Sequence, residues 1–315
     1  MPPAGAARSE GEAPVLAEEA EDMAQGASFS PLVSMAGLLA AAKEKKYAVA
    51  AFNIYNAESL GAVFEAAKEE RSPIIVQTWR GDLEHLGIGL LVEMVRWLAK
   101  DSGVPVCLHL DHGSALEIVS ACIEGGFSSV MFDGSRLPFE ENVRITKEVK
   151  EAAHRRGVSV EAELGVIGRA ESPPTEEERQ RNLTRPDVAE EFVALTGIDA
   201  LAIAIGNLHG AYKGKPQLDL DRVADIAGRT GIPLVLHGGS TTPEVDIRQA
   251  VANGICKVNV ATELYLAFGR GETQGLQKAE GRMWPAGILQ QARAEMREVA
   301  RHWIRLLGSA GRMEQ

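Results

Sequence analysis

Three imidazoles in this chain close apolar runs and are each followed by glycine. Leu108-His109-Leu110-Asp111-His112-Gly113 ends a run that begins at Val104. Ala202-Ile203-Ala204-Ile205-Gly206-Asn207-Leu208-His209-Gly210 ends a second, and Pro233-Leu234-Val235-Leu236-His237-Gly238-Gly239-Ser240 a third. Neutral imidazole is a common ligand of divalent transition metals, and three protein ligands with one open position is the arrangement of a catalytic zinc site. His112, His209 and His237 are therefore the expected Zn²⁺ ligands. Asp111 places a carboxylate beside the first of them, where it can give or take a proton. The other histidines have weaker claims. His85, His154 and His302 fall in helical stretches and are expected at the surface. His109 faces the same way as Asp111 along its strand, as core or as support for a ligand.

Ligands so far apart in sequence meet only if the fold gathers strand ends. Apolar runs of strand length occupy Tyr47 to Asn53, Pro73 to Gln77, Val104 to Leu110, Ser128 to Asp133, Val158 to Leu164, Asp199 to Gly206, Ile232 to His237 and Cys256 to Val260. Helical patterns separate them, Pro186 and Pro285 are expected at first-turn positions, and no hairpin signal intervenes. Alternating βα units imply parallel strands, and eight of them predict an α/β fold of the (β/α)₈ TIM-barrel type with extra C-terminal helices. A doubly wound open sheet is the alternative, but the turn after the first strand, Asn53-Ile54-Tyr55-Asn56, lacks the glycines that fold uses. No Pro-, Gly- or Ser-rich linker interrupts the repeat, so residues 29–315 are expected to form one domain, preceded by a disordered acidic tail over residues 1–28.

Barrel enzymes place their sites at the C-terminal ends of the strands. Those ends read Asn53, Gln77, Asp111 with His112, Asp133, Glu163, His209, His237 with Gly238, and Asn259. Each of these groups can ligate, hydrogen-bond or titrate. The glycine-rich stretches after His209 and His237, with Lys213, and the helix that follows Asn259-Val260-Ala261-Thr262, suit a phosphate at the place where such barrels frequently bind one. Between Glu163 and Pro186 a polar stretch of about twenty residues lacks periodicity, as active-site lids often do, and it carries acidic side chains able to act as a base.

Bulk composition narrows the partners. The chain has 315 residues, 45% hydrophobic and 24% charged, enough to bury a large core. Its 33 basic against 44 acidic residues leave a net charge of −11, which argues against non-specific nucleic-acid or anionic-membrane binding. No run is long and apolar enough to span a bilayer, and the first residues lack the basic start and apolar centre of a signal peptide. The 3 cysteines, Cys107, Cys122 and Cys256, are an odd number without close pairing, so a reducing, cytoplasmic setting is expected.

These residues resemble the zinc-dependent class II aldolases of the fructose-bisphosphate and tagatose-bisphosphate type. The resemblance runs from about Leu32 to Arg312 through VSMAGLLAAAKEKKYAVAAFNIYN, HLDHG, SVMFDGSRLPFEENV, VEAELGVIG, AIGNLHGAYKG, PLVLHGGS, KVNVAT and LLGSAGR. It implies reversible cleavage of a phosphorylated ketose into dihydroxyacetone phosphate and an aldehyde. By the same resemblance Zn²⁺ sits on His112, His209 and His237, flanked by Glu163 and Asp133, which in some members bind a second ion. Asp111 matches the residue that exchanges a proton with the hydroxyl formed from the aldehyde, and Glu171 the lid carboxylate that takes a proton from the triose. Gly210, Lys213, Gly238, Gly239, Ser240, Asn259 and Thr262 match the phosphate cradle, often joined by a monovalent cation, Na⁺ or K⁺. A homodimer or homotetramer is the implied assembly.

Departures from the pattern cluster at the aldehyde half. Thr78-Trp79-Arg80-Gly81-Asp82 stands where serine and small residues are common, and Trp79 and Arg80 would reshape the pocket for the aldehyde; Asn53, Gln77 and Thr78 are expected to bind substrate; Arg169 replaces a glycine before the lid glutamate. Thr241 follows Ser240 in place of glycine, Ala261 replaces Asn or Asp, and Glu263 stands where Asp is common. Two other readings are weighed: a Schiff-base aldolase using Lys257, and a non-catalytic phosphosugar-binding barrel.

Overall fold

The computed structural model describes residues 32–212, 214 and 216–313; the expected acidic tail and Lys213 lie outside them. After α1 (Met35–Lys45), the chain alternates β1 (Val49–Asn53), α2 (Ala57–Glu70), β2 (Ile74–Thr78), α3 (Arg80–Leu86), α4 (Ile88–Ser102), β3 (Val106–Gly113), α5 (Leu116–Gly125), β4 (Ser129–Phe132), α6 (Phe139–His154) and β5 (Ser159–Leu164). There follow β6 (Gly168–Arg169), α7 (Glu176–Asn182), α8 (Pro186–Thr196), β7 (Ala200–Ile203), β8 (Leu208–His209), α9 (Leu220–Thr230), β9 (Leu234–Leu236), α10 (Glu244–Ala252), β10 (Ile255–Val260), α11 (Thr262–Lys278) and α12 (Pro285–Leu306).

Eight strands, in the order β1-β2-β3-β4-β5-β7-β9-β10, close into a barrel through parallel ladders that end with Val49 opposite Lys257. The (β/α)₈ expectation is met. Strands buried on both faces do not show the simple alternation of a half-exposed sheet. Here the outward residues, such as Phe52, Leu108, Val160, Ile203 and Leu236, pack under the helices in one large apolar cluster. The inward residues Val49, Ala51, Ile75, Cys107, Met131, Ala200, Ala202 and Val235 form a second cluster, and Met35, Leu39 and Ala42 of α1 close it at the N-terminal mouth.

The helices start where local chemistry allows. At α2, Asn56 accepts from the Ser59 backbone N–H at 2.8 Å, while Ser59 Oγ accepts from the Asn56 N–H at 3.1 Å, a reciprocal cap. Pro186 and Pro285 occupy first-turn positions of α8 and α12, as expected. Gly271 and Gly275 of α11 let α12 approach closely: a Cβ on Gly271 would lie 2.4 Å from the Ala292 Cα. Glu70 then ties α12 to α2, accepting from Arg301 Nε and Arg305 Nε, each at 2.9 Å.

Two stretches read as loops carry regular elements. The stretch after Thr78 folds into the short helix α3, and the polar stretch before Pro186 contains β6 and α7. Thr175 and Glu178 form a capping box on α7, yet none of its residues is buried. A helix without an apolar stripe leaves no periodicity to read.

Candidate active site and metal centre

The three histidines converge at the C-terminal mouth of the barrel, but by different routes. His112 lies inside β3, at a backbone φ of 50°, where the register against β4 shifts between Leu110 and Gly113. His237 directly follows β9, and Asn207 holds it in place by donating to its carbonyl oxygen at 2.9 Å. His209 was expected at the end of a barrel strand, and it is not there. The strand β7 stops at Ile203; the chain turns at Gly206 with φ 95°, and His209 comes from β8, which pairs with β6 in a separate two-stranded sheet. A polar turn containing Gly206 and Asn207 ends the ladder before the histidine is reached.

The result is a tight focus. His112 Nε2 lies 3.1 Å from His209 Nε2 and 3.0 Å from His237 Nδ1, with the rings at steep angles to one another. These separations approach the edge, about 3.3 Å, of a tetrahedron of nitrogens around an ion at the usual 2.0–2.1 Å. Burial and neighbouring positive charge press His237 well below its ordinary value, and burial with His112 presses His209 down to about 4, so both present unprotonated nitrogens. Burial would also hold His112 down, but Asp111, Asp133 and Glu163 outweigh it and push it up to about 9. Two neutral imidazoles and a third, His112, whose proton a divalent ion would displace, are ringed by carboxylates and form a donor set that fits such an ion.

Asp133 and Glu163 sit on the far side of His112. Asp133 Oδ2 is 2.9 Å from His112 Nδ1, and its other oxygen accepts from Ser135 N and Oγ at 3.1 and 2.7 Å. Glu163 Oε2 lies 3.9 Å from the same nitrogen, and this buried oxygen has no hydrogen-bond partner. Burial, with Asp133 adding repulsion, pushes Glu163 up to about 8. His112, Asp133 and Glu163 thus make a second cluster of potential ligands, which shares His112 with the three imidazoles.

Asp111 points into the mouth between two strands. Its Oδ2 accepts from Asn53 Nδ2 at 2.9 Å and its Oδ1 from Asn259 Nδ2 at 3.1 Å, while Gln77 Nε2 donates to Asn53 Oδ1 at 2.7 Å. The strand-end residues Asn53, Gln77 and Asn259 are therefore one amide framework around a single carboxylate. Burial would raise the carboxyl, but His112, His237, Lys257 and the Asn53 amide leave it at about 2.

The glycine-rich loops meet beside the triad. A Cβ on Gly238 would lie 2.0 Å from the Leu208 carbonyl oxygen, so only glycine lets the His209 and His237 loops touch. Gly239 N donates to Asn259 O at 3.2 Å, and Ser240 Oγ accepts from Glu263 N at 3.3 Å, at the first turn of α11 beside Thr262. Glu263, one of the departures, works as scaffold: its carboxylate accepts from Thr241 N and Trp303 Nε1, both at 2.7 Å. Gly210, with φ 95°, faces the lid residue Glu171, whose Oε1 lies 2.4 Å from where a Cβ on that glycine would stand. The exposed Glu171 carboxylate is therefore seated one residue from His209. Ala170 N donates to His209 O at 2.8 Å, which fixes that seat.

At the end of β2, Gln77 and Thr78 are buried, whereas Trp79 is half exposed and lies over Gly81. Arg80 turns to Glu84 at 2.8 Å on the exposed face of α3. Asp82 was overlooked in the sequence reading. Its Oδ2 is buried without a partner, and burial followed by repulsion from Asp111 raises it to about 6. Lys257 offers no free amine: it is fully buried, with Nζ 2.9 Å from Glu161 Oε2. His85, His154 and His302 lie at the surface as expected, and Cys107, Cys122 and Cys256 are buried free thiols. A cleft of about 670 Å³ lined by Arg96, Glu124 and Arg156 opens at the opposite, N-terminal end of the strands, away from this chemistry. Among the described residues no helix is long and apolar enough to cross a membrane.

Comparison with known proteins agrees with this geometry. Residues 33–312 match the family model described as fructose-bisphosphate aldolase class-II. The chain is 41% identical over 282 residues to the D-tagatose-1,6-bisphosphate aldolase subunit GatY of Klebsiella oxytoca, covering 90% of this chain and 99% of that protein. Among solved structures, the YdjI aldolase of Escherichia coli K12 superimposes with a TM-score of 0.79 at 35% identity, over 90% of this chain and 100% of the other. A fructose-bisphosphate aldolase of Campylobacter jejuni, 24% identical, shares the fold with a TM-score of 0.77, over 90% and 97% of the two chains.

Proposed function

The chain belongs to the class II fructose-bisphosphate aldolase family, and from that premise we propose a zinc-dependent aldolase that cleaves a phosphorylated ketose into dihydroxyacetone phosphate and an aldehyde. The observation that carries the reading is the convergence of His112, His209 and His237 at 3.0 and 3.1 Å, with Asp111 beside them. His112, His209 and His237 would hold a divalent ion, whose chemistry there would be Lewis acidity toward the ketone oxygen of the substrate.

The chain's own groups do the rest. Asp111, fixed by Asn53 and Asn259, takes the proton from the hydroxyl whose carbon–carbon bond breaks, and returns it in the condensation direction. Its low value keeps it ionised and ready to accept. Glu171, seated over Gly210, moves the proton to and from the terminal carbon of the triose. The backbone of Gly210, Gly238 and Gly239, with Ser240, Asn259 and Thr262, holds the triose phosphate at the first turn of α11; Lys213 is assigned to the same phosphate by the family resemblance alone. Asp133 orients His112 through its other nitrogen, and Glu163 stands ready for a second ion.

Fructose 1,6-bisphosphate, tagatose 1,6-bisphosphate and related sugar phosphates are the substrates to test. The aldehyde pocket bears its own character: Trp79 offers a flat apolar face, and Asp82 an unpartnered carboxylate oxygen near Asp111. Burial of Lys257 against Glu161 speaks against a Schiff-base route. The deciding measurement is deuterium uptake by dihydroxyacetone phosphate in D₂O, followed by NMR with and without a chelator. Exchange that the chelator stops supports the proposal. Exchange indifferent to chelation, or none from zinc-loaded folded protein, refutes it.

A further inference from the structure

Buried charges inside a barrel need a reason, because each costs several kcal/mol in lost hydration unless its partners are well placed. The middle of this barrel holds two, Glu161 on β5 and Lys257 on β10, and both are fully buried. Neither supplies an atom to the imidazole focus itself. Glu161 spends its two oxygens separately. Oε2 accepts from Lys257 Nζ at 2.9 Å, and Oε1 lies 2.9 Å from Nε2 of His237. The other nitrogen of that ring, Nδ1, is the one at the imidazole focus, 3.0 Å from His112 Nε2.

A carboxylate can only accept, so His237 must donate its Nε2–H to Glu161. That leaves Nδ1 with its lone pair directed at the focus. We propose that the Lys257–Glu161 pair is a positioning device for His237: it selects the ring's tautomer, fixes its rotation and keeps Nδ1 free to ligate. Lys257 cancels the carboxylate charge that would otherwise add to that of Asp111. His109 flanks the pair, with Nδ1 2.8 Å from Ser129 Oγ and Nε2 3.6 Å from Glu161 Oε2, so it closes the compartment without taking the His237 contact. The inference rests on the reading of His237 as a metal ligand. It assigns the two buried residues to that ligand, and it explains why a strand-borne lysine in an aldolase is no nucleophile.

The test uses the full chain and zinc itself. Replacing the pair together, as Glu161→Leu with Lys257→Met, avoids leaving a lone buried charge, and such apolar replacements of buried pairs are often tolerated. Zinc affinity of the apoprotein, measured by competition with a chromophoric chelator, should fall about 10–100-fold, the usual effect of losing a group that orients a ligating histidine. Glu161→Gln with Lys257→Met restores a neutral acceptor for Nε2–H and should bind zinc about tenfold more tightly than the leucine version. A purely structural role would instead lower both melting temperatures alike and leave the two zinc affinities equal, which overturns the proposal. Should either variant fail to fold, ¹⁵N NMR of selectively labelled wild-type apoprotein decides. A pyrrole-type signal for His237 Nε2 with a pyridine-type signal for Nδ1 upholds the device, and the reverse assignment refutes it. Wild-type protein that binds no zinc, yet shows the Nε2–H tautomer, would instead refute the metal reading.

Discussion

Asp82 is a carboxylate that the fold tolerates at a cost, and replacing it by asparagine should make the protein more stable. The residue lies in the first turn of α3, its Oδ2 is buried without a partner, and burial followed by the Asp111 charge raises it from 3.8 to about 6. The folded chain therefore binds this proton more tightly than the unfolded chain does. Stability from the group is present below pH 3.8 and is lost as the pH rises through about 6. At pH 7.5 the whole penalty is in force. At about 1.4 kcal/mol per pH unit its ceiling is roughly 3 kcal/mol, and partial solvent access to the side chain halves that to about 1.5 kcal/mol. An acidic residue at a helix start is itself worth about 0.5 kcal/mol, which asparagine forfeits. Asp82→Asn should then gain about 1 kcal/mol at pH 7.5 and nothing at pH 4. Urea unfolding of both chains, followed by circular dichroism with a chelator present so that metal binding does not contribute, measures the two differences. No gain at pH 7.5, or the same gain at both pH values, would refute the reasoning. A costly acid beside the aldehyde pocket proposed above fits a stability–function trade-off, so under that proposal the same variant should change the ranking of aldehyde partners.

Three further outcomes are expected. Asp111→Asn should bind zinc as wild type does, yet cleave ketose phosphate about 10²–10⁴-fold more slowly, as steady-state kinetics and metal analysis together would show. Glu171→Gln should lose deuterium exchange into dihydroxyacetone phosphate by a similar factor with zinc content intact; retained exchange would move the triose proton to another group. Glu70→Gln should loosen the C-terminal helix. The hydrogen bond from Arg305, and then that from Arg301, hold the Glu70 carboxyl below its ordinary 4.5, so its contribution is present above that pH and fades as pH falls below it. Thermal unfolding should show a loss of about 1 kcal/mol at pH 7, vanishing toward pH 3.

Much of the site was legible because the ends of parallel strands must cluster in a closed barrel. Asp111, His112 and His237 terminate strongly apolar runs, and the amides of Asn53 and Asn259 close others, so a single rule of architecture brought them to one mouth. His209 was assigned correctly to the mouth but to the wrong element, since Gly206 ends the barrel ladder early and β8 belongs to a separate sheet. Glu161 and Lys257 were legible only as types. A strand buried on both faces carries no mark of which face looks inward, and in β5 it is the polar set, Ser159, Glu161 and Glu163, that lines the barrel while Val160 and Ala162 pack under helices. Asp82 and the helix around it went unread for a related reason. Seven residues with one buried apolar side chain, Leu83, give no periodicity to follow.

The small ladder that joins Gly168 to Leu208 and Arg169 to His209 has a consequence for turnover. It yokes the loop that carries the carboxylate Glu171 to the loop that carries one of the three imidazoles, so neither can travel far without straining the other. Under the proposed function, an excursion of Glu171 wide enough to discharge product would tug on His209, and on an ion it held, at the same moment. Leakage of the ion should then be confined to the brief interval after catalysis, and a resident triose phosphate, by keeping the gate latched, should shelter the ion from scavengers in its surroundings. Retention of the metal becomes a matter of occupancy and timing as much as of intrinsic affinity.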